Sequence, residues 1–439
     1  MNKIISEFYK RPLVRDTIKT TIWSTVGKAA GFLIPFFIAA WFGVSSETDA
    51  FFFAYGLILF LSGIFAPVVE SVIVPYIAEA RTNNEDVGKF VGNILGVSGA
   101  GLLALAIFFI LVIKPVLSVI TRFDGQTLEL VYRLLIETAP LIIFLTWTSV
   151  LAGTLNTYKK FAFPAVSPAF RAAVNLTIIF ALKDAYGVHS IALGYVVGEL
   201  ARLLILFIII KKLKLFKLCL SFRVGAKLGG FFKTASYQIM GVAAVGLNPI
   251  VDKTMASWLG TGSVSVLHYA DRLYMIPLTF LVSGLMVVLL SHWSQRYYQS
   301  GEQRLKQDVY KAIKVVGLIT LPITMLLIIF HQPIVKLAFG RDQFDLTRLS
   351  EVGWVWVCYL LGFTLYIVGQ VFVRAHLTLK NTTALMQCAF FLVLLNILLN
   401  YILMKLFNVA GIALATSISR VFPIVYLGIL FSKKIRKDS

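Results

Sequence analysis

Residues 90–113 read FVGNILGVSGAGLLALAIFFILVI, a stretch without one Asp, Glu, Lys or Arg. Wound as an α-helix, its 24 residues would extend about 36 Å, enough to cross a hydrocarbon layer about 30 Å thick. A strand of a membrane barrel would alternate polar and apolar side chains, and this stretch does not. Working outward, similar stretches lie before and after it at 21–43, 50–78, 128–154, 162–182 and 189–210. The rest of the chain adds 228–258, 264–291, 312–330, 352–375, 384–404 and 409–432. The fold class expected is therefore an all-α polytopic membrane protein with about 12 transmembrane helices. The first stretch has a basic flank and no small-residue cleavage signal, so it reads as a retained span, not a signal peptide.

Composition agrees. The 439 residues are 58% hydrophobic and 14% charged, with a mean hydropathy of +0.84. Soluble domains carry about 25% charged residues, so an ordinary soluble protein is excluded. The net charge of +20 would suit a nucleic-acid binder, but its distribution points elsewhere. With the N-terminus placed in the cytoplasm, segments on that side hold about 26 Lys and Arg and the opposite side about seven. Positive residues collect on the cytoplasmic side of membrane proteins, which places both termini there and requires no nucleic acid. Cys219, Cys358 and Cys388 show no metal-binding spacing and no disulfide framework.

The two halves repeat. Ala40-Trp41-Phe42-Gly43 matches Ser257-Trp258-Leu259-Gly260 at an offset of 217, and Val188-x-x-Ile191-Ala192-Leu193 matches Val409-x-x-Ile412-Ala413-Leu414 at 221. Asn175 and Asn396 share the second offset. Six spans per half would give a parallel repeat, with a substrate path where the halves meet. The domains expected are an N-terminal lobe at 1–210, a cytoplasmic basic linker at 211–227 and a C-terminal lobe at 228–439, arranged around a central cavity. The linker, KKLKLFKLCLSFRVGAK, mixes basic and apolar residues and suits either anionic lipid at the membrane surface or plain solvent.

Ionisable groups inside the bilayer are costly and mark function or pairing. Arg133 with Glu137, and Glu199 with Arg202, have the helical spacing of ion pairs. Lys28, Arg171 and Arg272 have no acid three or four residues away. Three such cations on different helices suit an anion such as phosphate or pyrophosphate, which arginine can grip with two donors. No HExxH, P-loop or GxSxG motif occurs, and the five histidines form no ligand cluster. The chain is accordingly expected to be no enzyme. A membrane glycosyltransferase would have to draw on Asp342, Asp345 and Glu351.

Several motifs resemble those of the MurJ-type lipid II flippases, members of the multidrug/oligosaccharidyl-lipid/polysaccharide exporter superfamily. They are Thr48-Asp49-Ala50-Phe51-Phe52-Phe53-Ala54-Tyr55, Val74-Pro75-Tyr76-Ile77-Ala78-Glu79, Gly153-Thr154-Leu155-Asn156-Thr157-Tyr158 and Tyr269-Ala270-Asp271-Arg272-Leu273. Leu337-Ala338-Phe339-Gly340-Arg341 and Gly411-Ile412-Ala413-Leu414-Ala415-Thr416-Ser417 continue the series in order. The resemblance implies two six-helix lobes around a cationic cavity open alternately to either side of a bacterial cytoplasmic membrane. By the resemblance Lys28, Asp49 and Arg272 stand at family positions; with Arg171 supplying some of the missing positive charge, Lys28, Arg171 and Arg272 are expected to hold a diphosphate, and Asp49 and Asp271 to orient cations or gate. Two basic positions of the family pattern fall on Ile34 and Ser62, and a glutamate position on Pro67. About 12 spans stand where lipid II flippases usually have fourteen. These departures make another polyprenyl-diphosphate-linked glycan, such as a polysaccharide repeat unit, the expected substrate, with lipid II the alternative and a multidrug antiporter a further one. Similarity to sodium-coupled members implies a sodium site of Asp252, Asn396, Asn400, Ile412 through its carbonyl, and Thr416. No other cofactor is expected. The partners expected are the lipid-linked glycan and anionic bilayer lipids, and the carrier is expected to act as a monomer.

Overall fold

The computed structural model describes residues 12–217, 226–341, 344–379 and 381–437. Cys219, residues 218–225 of the basic linker and Asp342 lie outside the described residues. Among the described residues there is no strand. The helices run in order as α1 (Pro12–Phe42), α2 (Ser46–Thr82), α3 (Val87–Ile120), α4 (Gly125–Thr138), α5 (Pro140–Thr157), α6 (Ala162–Tyr186), α7 (His189–Lys212) and α8 (Ala226–Gly246). They continue as α9 (Asn248–Ala256), α10 (Ser263–Ile329), α11 (His331–Phe339), α12 (Leu346–Leu361), α13 (Phe363–Thr378), α14 (Thr382–Ser419) and α15 (Val421–Lys437).

Local chemistry explains most boundaries. Asp124 caps α4, its carboxylate accepting from the backbone N–H groups of Gln126 and Thr127 at 3.0 and 2.9 Å, which satisfies otherwise orphaned donors. Pro140 then opens α5 at a position where a missing N–H costs nothing. The single span expected at 128–154 is therefore two helices broken at Ala139. Pro249 does the same at the start of α9, dividing the expected span 228–258. Gly43 and Gly187 take positive φ, 61° and 51°, where a side chain would be strained. Inside α14 the break at Asn408, with φ 50°, falls between the expected spans 384–404 and 409–432.

One boundary expected from hydropathy is missing. Spans 264–291 and 312–330 belong to one helical run, α10, of 67 residues. The polar stretch between them, SQRYYQSGEQRLKQDVYKAIK at 294–314, holds four Gln, three Lys and two Arg. These are good helix formers, and the lone Gly301 costs only about 1 kcal/mol relative to Ala. Falling hydropathy marks the edge of a membrane span, not the end of a helix.

The chain divides into two compact units. The first comprises the described residues up to Ile38, Ala50–Ile120 and Asp124–Gly246; the second comprises Ala39–Asp49, Thr121–Phe123 and Leu247 onward. The ends of α1 and the first residues of α2 thus pack with the second unit. In the first unit, Val72, Ile73 and Ile77 of α2 pack with Phe90 and Ile94 of α3, Leu151 and Leu155 of α5, and Phe231 of α8. Gly153 of α5 permits this, since a Cβ there would stand 2.5 Å from Ile73 and 3.0 Å from the Glu70 carbonyl.

Large apolar side chains also point outward. Phe108 and Leu111 are 64% and 71% exposed, and Leu318 is 78% exposed. A water-soluble surface does not carry such density of bare aliphatic groups, whereas a lipid-facing one does. Among the described residues, nine helical stretches are long and apolar enough to cross a bilayer. The chain is a multi-pass membrane protein.

Candidate functional site

In the first unit, the polar residues gather where α6 and α7 meet. These helices approach closely because Gly194 and Gly198 stand four apart on one face of α7; a Cβ on Gly198 would lie 2.9 Å from the Arg171 carbonyl oxygen. Such small-residue spacing lets membrane helices touch backbone to backbone. Beside this contact, Arg171 Nη1 donates to Glu199 Oε2 and Arg202 Nη1 to Glu199 Oε1, both at 3.3 Å. Arg202 Nε also donates to Ser167 Oγ at 2.9 Å. Glu199 is fully buried, and Glu70 of α2 accepts from Asn156 of α5 at 3.4 Å. Lys28 is exposed on α1, one turn from Gly31, whose absent Cβ would lie 3.9 Å from Arg171 Nη2.

Arg171 thus has an acid partner after all, supplied by the neighbouring helix and so invisible to spacing along its own. Glu199 with Arg202 pairs as its spacing suggested. Arg133 with Glu137 does not. Arg133 instead lies 3.6 Å from Glu129, one turn back, and Glu137 bonds His189 Nδ1 at 2.7 Å. His189 opens α7 and so reaches Glu137 near the end of α4.

In the second unit, Asp252 of α9 meets Asn396, Asn400 and Thr416 of α14. Asn400 Nδ2 donates to Asp252 Oδ1 at 2.6 Å and lies 3.3 Å from Asn396 Oδ1. Thr416 Oγ1 lies 3.2 Å from both Asp252 Oδ2 and the Ile412 carbonyl, and Asn396 Nδ2 lies 3.4 Å from Thr416 Oγ1. The five residues form one cluster offering only oxygen to an ion, the donor type that hard cations take. Asn400 Oδ1 is buried and has no hydrogen-bond partner among the described residues, so the cluster has an acceptor left over. One acid serves the whole set, and no group of three or more His, Cys, Asp or Glu occurs among the described residues. A single acid among neutral oxygens suits a monovalent cation better than a many-carboxylate calcium-type cage.

Asp271 and Arg272 sit close by on α10. Asp271 lies near Asp252, Lys253 and Tyr274. Arg272 Nε donates to His268 Nε2 at 3.4 Å, one turn back on the same helix. Arg420 donates to the Tyr274 hydroxyl at 2.7 Å and lies over the rings of Tyr274 and Tyr366, 4.7 and 5.2 Å from their centroids. His268, Tyr274 and Tyr366 were not singled out from the sequence. Aromatic residues in an apolar helix carry no positional mark until another helix brings a cation to them.

Asp49 is engaged differently. Its carboxylate accepts from the Gly262 N–H at 2.5 Å and from the Ser265 N–H and Oγ at 2.7 and 2.6 Å. Those donors form the start of α10, so both oxygens are spent on a helix terminus. The structure thus puts Arg171 and its acid together in one unit, with exposed Lys28 one turn from the glycine that Arg171 approaches. It groups Asp271 and Arg272 with the Asp252 cluster in the other, and gives Asp49 a capping role.

The family model described as "Lipid II flippase MurJ" matches residues 38–439. A probable lipid II flippase MurJ of Buchnera aphidicola is 26% identical over 423 residues, covering 93% of this chain and 81% of that protein. The lipid II flippase MurJ of Thermosipho africanus is 28% identical over 426 residues, covering 95% and 85%. Among solved structures, a lipid II flippase MurJ in an inward closed conformation superposes with a TM-score of 0.79 at 26% identity, covering 96% of this chain and 87% of that one. A multidrug resistance MATE transporter of the MOP superfamily superposes at 0.77 with 13% identity, a likeness of fold alone. These relatives are named as flippases and transporters rather than catalysts. With a family match running from Ile38 through every helix of the second unit, and buried ion pairs and polar clusters carried on membrane helices, the chain belongs to the lipid II flippase MurJ family.

Proposed function

We propose that the chain moves lipid II, the polyprenyl-diphosphate-linked precursor of peptidoglycan, across the bacterial cytoplasmic membrane, with both of its termini in the cytoplasm. The family match over residues 38–439 carries this reading. It displaces the polysaccharide repeat unit that the sequence alone favoured. Lys28, Arg171 and Arg272 meet the diphosphate, and Asp271 balances the charge around Arg272 when the anion leaves. Charge inside a bilayer needs a compensating charge or water, so these cations bind a diphosphate better than its neutral sugars. The glycan passes through water while the lipid tail stays in the bilayer.

Asp252, Asn396, Asn400, Thr416 and the Ile412 carbonyl would hold a sodium ion, whose charge would offset that of Asp252. An ion gradient or the membrane potential would drive the cycle, consistent with a sequence that carries no nucleotide-binding motif. The chain acts as a monomer among anionic lipids.

A specific observation keeps a second substrate in view. Ile34 and Ser62, which stand at basic positions of the family pattern, are 1% and 2% exposed, and Ser62 Oγ has no partner among the described residues. Neither position offers a cation, so a different diphosphate-linked glycan is the other reading. Purified protein in liposomes carrying labelled lipid II tests the choice. Flipping faster than in protein-free liposomes, blocked by Arg272→Glu, is expected. An inert wild-type protein that moves another polyprenyl-diphosphate glycan would overturn the lipid II assignment.

A further inference from the structure

Glu199 is buried between two guanidinium groups, and burying a carboxylate this way wins little stability. Replacing such an ion pair with well-packed apolar side chains is often neutral or favourable. Its geometry suggests another use. Both bridges measure 3.3 Å, against about 2.8 Å for a tight charge-assisted bond, so neither arginine is fully claimed. Arg202 is occupied at Nε by Ser167 and at Nη1 by Glu199. Glu199 holds Arg171 at Nη1. Its Nε is buried with no partner among the described residues, and its Nη2 faces the space that Gly31 leaves without a side chain. Nε and Nη2 form one straight edge of the guanidinium, the pair of parallel donors that fits two oxygens of one phosphate.

We propose that Glu199 is a positioning residue for the diphosphate. It holds Arg171 by Nη1 so that the Nε–Nη2 edge stays open to a phosphate, and its negative charge keeps that anion's affinity low enough for release. This rests on the reading that the carrier moves a diphosphate-linked lipid. Arg202 sets the balance from the other side, cancelling part of the Glu199 charge without facing the anion itself. A carboxylate present only to satisfy buried arginines would affect folding but would not shift anion affinity in opposite directions when each partner is neutralised.

The test measures binding of inorganic pyrophosphate to the full chain in detergent, and lipid II flipping by the same proteins in liposomes. A unit charge about 6 Å from the anion, in surroundings between protein and water, changes affinity about fivefold to tenfold. Glu199→Gln is expected to tighten pyrophosphate binding by that factor and to slow flipping, lowering KM and kcat together. Glu199→Asp keeps the charge and is expected to stay near wild type. Arg202→Gln leaves Glu199 less compensated and is expected to weaken pyrophosphate binding by a similar factor. Glu199→Gln with Arg202→Gln restores the net charge of the wild-type cluster and is expected to return affinity to within about twofold. Unchanged affinity in Glu199→Gln overturns the proposal. If that variant does not fold, unchanged or tighter binding in Arg202→Gln overturns it. A wild type inert toward lipid II whose pyrophosphate affinity still follows this pattern would refute the substrate, not the role of Glu199.

Discussion

Asp49 caps a helix to which it does not belong: its Oδ1 accepts from both the backbone N–H and the hydroxyl of Ser265, at 2.7 and 2.6 Å. The carboxylate sits 2% exposed at the N-terminal turn of α10, where the helix dipole and free N–H groups favour an anion. Gly262 completes the arrangement with φ 90°; a Cβ there would stand 2.6 Å from Val44. Asp49→Ala leaves these N–H groups without a partner and is expected to cost about 1–3 kcal/mol of stability. Thermal unfolding of the purified variant in detergent checks this. A melting temperature equal to wild type would show that the contact carries no stability.

The cation cluster of the second unit predicts a gain. Asn400 contributes a neutral oxygen beside the acid Asp252, and its Oδ1 has no hydrogen-bond partner among the described residues. Asn400→Asp adds a second negative charge and is expected to tighten sodium binding about tenfold, the yield of roughly 1.4 kcal/mol of added attraction. Asp252→Asn is expected to abolish binding. Sodium-dependent thermal shifts measure both. A weaker sodium response in Asn400→Asp would place the ion elsewhere.

The packing of α6 on α7 predicts a loss. Gly194 and Gly198 leave no room, with Ile179 2.7 Å and the Arg171 carbonyl 2.9 Å from the respective added Cβ atoms. Overpacking of this kind typically costs about 1–3 kcal/mol. Gly198→Leu is expected to lower the yield of folded protein and its melting temperature, and Gly198→Ala to do so less. Gel-filtration profiles of the detergent-solubilised variants check the order.

A pH effect is expected outside the membrane. Glu85 accepts from Lys227 Nζ at 2.7 Å, and this bond holds its carboxyl below its ordinary value of 4.5. A group whose folded value is depressed stabilises the fold above its unfolded value and loses that contribution as pH falls through the folded one. Protection factors of the amides at the start of α8, with the base-catalysed intrinsic rate divided out, are therefore expected to hold level above about pH 5 and to fall below about pH 4. Lys227→Gln is expected to remove the difference. An identical acid profile in that variant would show the pair to be idle.

Much of this was legible in the sequence, because a bilayer enforces a simple rule on each span. The stretch 90–113 and its counterparts mark membrane helices by composition alone, and the Asp49 and Asp271–Arg272 motifs point to the family. The run of α10 through its polar centre was not legible, since hydropathy reports the solvent and not the backbone. The Asp252 set was reached through resemblance, and the structure brings all five residues together. Glu199 pairing with Arg171, and His189 with Glu137, escaped notice because both pairs cross between helices. Spacing along one helix is silent about its neighbours.

The most direct test of the account is the lipid II content of the membrane in cells depleted of this protein, measured by mass spectrometry of polyprenyl-linked saccharides. Lipid II accumulating and remaining on the cytoplasmic side, with lysis, is the predicted result. Unchanged lipid II alongside the build-up of a different lipid-linked oligosaccharide in viable cells would contradict it.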